Sequence, residues 1–204
     1  MNYVTIPPDE VLKPFISHFW LATWDKKTPQ SSSTYYATAS SLVEFVFAFD
    51  DRNKHSELLF SSIQGPTHQH GQYPTDDFFN LFGVALYSHA APYFFDLSTS
   101  ALHDQFVSPD TILGRLGNQL VDKVTLAKSK SERVTILSDY FKSCLAKRQV
   151  KNQHLIEAVR AIRQSYGNIN VVALADEFTI SQKQFNRQFS AFAGFNPKLY
   201  AKIV

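Results

Sequence analysis

Residues 170–194, NVVALADEFTISQKQFNRQFSAFAG, carry two helical periodicities that meet across a turn of very few residues. Two short amphipathic helices joined this tightly must share one apolar core and cross at an angle, which is the layout of a helix-turn-helix. Leu174 and Ala175 belong to the first helix, Phe178, Thr179 and Ile180 to the turn, and Ser181 is placed to cap the second helix through its hydroxyl. Phe185, Phe189 and Phe192 then recur at helical spacing and turn inward together, which leaves Gln182, Lys183, Asn186 and Arg187 facing outward. Thr179 stands where a glycine often sits, and a β-branched residue resists positive φ, so a turn without a left-handed residue is expected.

The outward face suits a DNA groove. Gln and Asn pair bidentately with adenine, Arg with guanine, and Lys and Arg neutralise phosphates. Periodicity alone equally fits a pair of core helices with a solvated outer side. Charge distribution places any nucleic-acid contact at the C-terminus: residues 151–204 hold seven Lys/Arg against three Asp/Glu, whereas residues 1–150 hold thirteen against fifteen, so a net charge of +2 conceals a basic tail on a slightly acidic body.

The body changes character along its length. An apolar, aromatic segment at 15–24 is followed by the polar loop KKTPQSSS at 26–33. Phe45, Phe47 and Phe49 alternate with Glu44, Val46 and Ala48, the period-2 mark of a strand with one aromatic face. Segments 56–64 and 78–87 read as two more strands, separated by the Gly- and Pro-punctuated stretch 65–74. From residue 98 onward, helices are expected at 101–107, 110–121 and 132–147, the last with Val134, Leu137, Phe141, Cys144 and Leu145 on one face. A polar hinge at 147–152 precedes a helix at 154–166 that turns Leu155, Val159, Ile162 and Tyr166 inward and ends at Gly167.

Several side chains carry chemistry. His68 and His70 in THQHG lie two apart, so an extended strand turns both imidazoles to one face, a fragment of the HxH that cupin barrels use. The following GQYPTDD does not offer further ligands at the usual spacing, and Asp76, Asp77, His89 or His103 complete a site only if the fold gathers them. Loop histidines beside Gly and Pro are more often surface polar groups, so neither a metal nor another cofactor is expected. Glu44 is a carboxylate among apolar residues: it reads a cationic or hydroxyl-bearing effector if its face lines a cavity, and it is the polar side of a sheet if that face is solvated. Phe45, Phe47 and Phe82 are first a core and alternatively the wall of an apolar effector pocket beside Glu44. The single Cys144 excludes an internal disulfide and reads as a buried thiol. GxSxG, GxGxxG, HExxH and Cys-x-x-Cys motifs and the phosphate-binding loop are all missing, so an enzyme is the weaker hypothesis. The N-terminus lacks a basic leader and no apolar run approaches the thickness of a bilayer, which makes cytoplasm the expected location and a membrane partner unexpected.

LADEFTISQKQFNRQF followed by AGFNPKLYAKIV resembles the first helix-turn-helix of the AraC/XylS family of bacterial transcriptional regulators, with Leu174, Ala175, Ser181, Phe185, Arg187, Phe189, Gly194, Pro197 and Lys198 on the family's pattern. The body is similar to the N-terminal domain of one AraC-type subgroup at Leu12–Trp20, Val43–Phe47, Gly65–Thr67, Phe82–Val84, Leu102–Val107 and Ile112–Gly114. The resemblance implies a DNA reader attached to a domain that senses a small molecule or forms a homodimer. It also implies that the second motif of the family is absent here, so one reading head should bind double-stranded DNA weakly. The expected fold class is α+β: a β-rich antiparallel domain, for which a cupin-like barrel is one form, with trailing helices (residues 1–149, β-rich to 97), then an all-α helix-turn-helix subdomain at 150–204. Ser181, Gln182, Lys183, Asn186 and Arg187 are the expected DNA contacts. A ligand-binding or dimerisation protein that modulates a full-length partner is the alternative, and a cupin-like metal enzyme the third.

Overall fold

The structure, a computed structural model, describes residues 2–24, 34–37, 39–50, 57–68, 71–74, 79–149 and 152–204. Seven strands come first: β1 (Asn2–Ile6), β2 (Ile16–Trp24), β3 (Thr34–Ala37), β4 (Leu42–Asp50), β5 (Glu57–Gln64), β6 (Gly71–Pro74) and β7 (Phe79–Tyr87). A short helix α1 (Ala91–Phe94) and strand β8 (Phe106–Val107) lead into α2 (Pro109–Leu113), α3 (Arg115–Leu126), α4 (Lys130–Ala146), α5 (Gln153–Gln164), α6 (Val171–Glu177), α7 (Gln182–Ala193) and α8 (Pro197–Ile203). The result is the α+β fold expected, with a six-stranded antiparallel sheet in the order β1-β2-β7-β4-β5-β8 and a separate β3-β6 pair.

The three strands expected at 42–49, 56–64 and 78–87 are β4, β5 and β7. Register explains why β4 sits at the centre: Phe45 pairs with Val84 and Phe47 with Phe82, so aromatic and branched side chains stack on one face across neighbouring strands. Val43, Phe45, Phe47, Phe49, Phe82, Val84 and Leu86 are fully buried there. Leu120 and Val124 from α3 and Leu137 and Phe141 from α4 close that face within the same core. The alternate positions are buried too. Trp20, Ala22, Val46, Ala48, Leu81 and Ala85 form a second apolar cluster on the reverse side, so β4 is covered on both faces and Glu44 lies among apolar neighbours.

Three helical expectations need correction. Residues 101–107 are not a helix: a 3-10 turn at Thr99–Leu102 ends and β8 pairs back to β5 through Ile63↔Val107 and Gln64↔Phe106. The segment 110–121 is broken at Gly114, whose φ of 58° divides α2 from α3. Tyr166 is exposed, because α5 already stops at Gln164 and Tyr166 takes a left-handed φ of 50°. Leu155, Val159 and Ile162 do turn inward, and α4 buries Leu137 and Phe141 as its pattern requires. The loop at 26–33, together with His70, Asp76 and Asp77, lies outside the described residues. Among the described residues no helix is long and apolar enough to cross a membrane.

One contiguous core runs from Leu12 and Phe15 through the sheet to Phe185, Phe189 and Tyr200. Apolar burial is cooperative when its contacts are continuous, so body and tail should unfold together. Urea unfolding followed by the fluorescence of Trp20 and Trp24 and by helical circular dichroism is expected to give coincident midpoints. Separate midpoints would mean that the tail melts independently.

Candidate nucleic-acid interface

The helix-turn-helix is built by local rules. Asn170 caps α6, its Oδ1 accepting from the Val172 and Ala173 amides at 3.0 and 3.4 Å. The end of α6 is a Schellman motif: the Thr179 amide donates to the Asp176 carbonyl at 3.0 Å and the Ile180 amide to the Ala175 carbonyl at 3.3 Å. Thr179 therefore does adopt the left-handed region, φ 54°, contrary to the expectation drawn from its β-branched side chain. Two satisfied carbonyls and a half-buried Ile180 packed on the core offset a conformational cost of about 1–2 kcal/mol. Ser181 then caps α7, its hydroxyl accepting from the Gln184 amide at 3.3 Å.

Along α7 the two faces separate as the period requires. Phe185 and Phe189 are fully buried, with ring centroids 5.6 Å apart, and Phe189 meets Tyr200 of α8 edge-on at 5.5 Å. Ser181, Gln182, Lys183, Asn186 and Arg187 are all exposed. The structure thus gathers the five expected contacts on one side of the first two turns of α7. No acidic residue lies in that first turn, and the unpaired amides of a helix N-terminus carry partial positive charge. This surface combines amide side chains of the type that pair with base edges with two cations and a helix end of the type that suits phosphate.

The C-terminal half of α7 is not free. The Phe192 ring stacks on His89 with centroids 5.2 Å apart and planes 10° apart, and Tyr87 also stacks on His89 at 5.8 Å. Thr99 Oγ1 lies 2.6 Å from the Ser88 carbonyl and 3.0 Å from the Phe192 carbonyl, so its one proton serves a chain turn and an end carbonyl of α7. Arg163 of α5 donates to Ser41 at 3.3 Å and lies over the Tyr87 ring at 4.8 Å. Burial lowers the His89 imidazole to about pKa 4, which keeps the ring neutral in this apolar stack while it donates to the Pro14 carbonyl at 2.9 Å. Sequence reading missed Thr99, Tyr87 and Arg163, whose contacts with Phe192, Arg163 and Ser41 join residues far apart along the chain, and Ser88, whose carbonyl meets Thr99.

On the reverse face of the sheet, His18, Ala85, Glu44 and Gln64 form one cross-strand row. Trp20 sits in the same cluster, with its buried indole Nε1 unpartnered among the described residues. Burial pushes the Glu44 carboxyl from 4.5 up to about 7. Phe45, Phe47 and Phe82 do not join Glu44 as a pocket wall: they point to the opposite face and are sealed in the main core. His68 is brought beside His103, a pairing discussed below, whereas His89 is committed to the seam.

Residues 4–108, a little more than half of the 204-residue chain, match the family described as Domain of unknown function (DUF6597). No curated protein and no solved structure matches the chain significantly.

Two outcomes test this geometry. Phe185→Ala should destabilise the protein by about 3–5 kcal/mol in urea unfolding, because it empties a fully enclosed ring site; a loss below about 0.5 kcal/mol would place the residue at the surface. Glu44 binds its proton more tightly folded than unfolded, so its contribution is complete below pH 4.5 and is lost as pH rises to about 7. Glu44→Gln should remove that decline and stabilise the protein at and above neutrality by about 3 kcal/mol, read as the difference in unfolding free energy between acidic and neutral buffer.

Proposed function

The chain belongs to the DUF6597 family through its first half, and on that premise we propose that it is a DNA-binding transcriptional regulator of AraC type, with the N-terminal body controlling or positioning the reader. The observation that carries this reading is the exposed set Gln182, Lys183, Asn186 and Arg187 on the Ser181-capped end of α7, directly after a left-handed helix-turn-helix turn. Amide and guanidinium side chains there match base edges in a major groove, and Lys183 and the helix end suit the flanking phosphates. With one recognition helix making a few base contacts at about 1–3 kcal/mol each, binding in the micromolar range and a steep salt dependence are expected.

The body offers a second role within the same reading. Glu44, neutral at mildly acidic pH, and the unpartnered indole of Trp20 put two polar groups on one apolar face of the sheet, which supports a small-molecule effector carrying a hydroxyl or a cation. Such an effector would act on DNA through the seam, because Phe192 and Thr99 tie α7 to the sheet's end.

Selection of duplexes from a random pool at low and physiological salt tests the DNA role. The chain should enrich a short motif that the Lys183→Ala, Arg187→Ala double variant loses. Arg187→Ala alone should weaken binding to that motif by about 1–3 kcal/mol and relax one base position. No enrichment at either salt would overturn the reading and leave the body's ligand as the protein's business.

A further inference from the structure

Beyond the sheet's edge, the β5-β8 ladder does not stop with its strands. The Gly65 amide donates to the Gln105 carbonyl at 2.9 Å and the Asp104 amide to the Pro66 carbonyl at 3.1 Å, so residues 66–68 lie alongside residues 103–105. Only glycine allows this approach, since a Cβ on residue 65 would come within 1.5 Å of the Leu102 carbonyl oxygen. Thr67 is held on its other side by paired backbone bonds to Ser40 at 2.8 and 2.9 Å. This zippering brings together side chains 35 residues apart: His68 Nδ1 lies 3.4 Å from His103 Nε2, which lies 3.2 Å from Asp104 Oδ2, and the His68 to Asp104 separation is 3.8 Å.

Three donor atoms at these separations outline one face of a small coordination sphere. Ligand atoms in a tetrahedral site with bonds of about 2.0–2.1 Å lie about 3.3 Å apart, close to the two edges at His103, while the His68 to Asp104 edge of 3.8 Å is longer. Hydrogen bonding accounts for the cluster less well. A neutral imidazole carries one N–H, so the single proton on His103 Nε2 faces both the His68 nitrogen and the Asp104 carboxylate. If His68 Nδ1 is an acceptor, one of the two is left unserved. A metal ion in place of that proton satisfies all three lone pairs at once.

We propose that His68, His103 and Asp104 form a binding site for a divalent transition-metal ion, zinc foremost, with one position open to water or to a donor atom of a ligand. Two imidazoles and a carboxylate are a borderline-soft nitrogen and oxygen set, which suits zinc and its neighbours and not calcium or magnesium. Side-chain exposures of 44%, 27% and 38% for the three residues keep the fourth position reachable from solvent. The ring of His103 also meets Phe195 edge-on at 4.7 Å, directly after α7. An ion here would therefore clamp the segment after β5 to the turn before β8, and stiffen the support under the helix-turn-helix. The site stands apart from the DNA reading and requires no nucleic acid.

The test uses the full chain, stripped with a chelator and dialysed, then titrated with zinc by calorimetry and with cobalt by visible absorption. One equivalent should bind, with the intense bands of four-coordinate cobalt and a raised unfolding temperature. His68→Gln, His103→Gln and Asp104→Asn should each weaken binding at least about tenfold, the loss that outer-shell changes alone cause. Asparagine tolerates the left-handed φ of 53° at position 104, so that variant keeps the backbone while changing the donor. Absence of binding, or retention of the unsubstituted chain's affinity in all three variants, would overturn the proposal.

Discussion

The contact between the end of α7 and the body is the constraint on which the rest of the arrangement depends. Helix α7 has one wet end and one fixed end, and the division falls within twelve residues: Gln182 to Arg187 are exposed apart from Phe185, while Phe192 and Ala193 are buried. What fixes the second half is modest in number and well placed. One hydroxyl proton from Thr99, a three-ring stack of Tyr87, His89 and Phe192, and the filling of Phe195 against His103 join two halves of the chain. Each partner is buried or half-buried, where a hydrogen bond left unmade costs about 1–3 kcal/mol, so the contact holds one geometry in preference to a family of loose ones.

Burial on both faces of β4 follows from the same economy of surface. A sheet whose Phe face is covered by helices would ordinarily leave its reverse side to water. In this chain the reverse side carries Trp20, Val46, Ala48 and Leu81, and burial on that face pushes the Glu44 carboxyl up to about 7. Glu44 thereby becomes a group that changes charge within the range where ordinary glutamates no longer do. A buried acid of this kind destabilises the fold when ionised, so its presence calls for a reason other than stability.

Legibility in the sequence tracked the range of the determining interactions. Period-2 alternation at 42–49 and helical spacing at 185, 189 and 192 are local, and both β4 and α7 form where those patterns lie. Ser181 as a cap was equally local. The region after residue 98 misled because its apolar spacing fits a helix, whereas Phe106 and Val107 pair with a strand some forty positions earlier. Thr179 misled in another way: its intrinsic preference was read correctly, but two backbone bonds and the burial of Ile180 outweighed it. Glu44 was visible as an oddity, yet the aromatic residues grouped with it belong to the other face, which alternation itself implies. His68 drew notice for its neighbour two residues on. Its partners in space follow from the β5-β8 register: His103 is one of the completions the sequence offers, whereas Asp104 is not among them.

The polarity of the anchored helix completes the physical logic. An α-helix presents partial positive charge at its first turn and partial negative charge at its last. Because the seam holds α7 by its C-terminal turn, the negative end is turned into the body, where Thr99 gives it a proton, and the positive end projects with Lys183 and Arg187. Reversing the anchor would bury the cationic end and offer carbonyls to whatever approaches. The same residues would then repel an anionic partner. In this fold the choice of which helix end to bury sets the sign of the exposed surface, before any single side chain on that surface is considered.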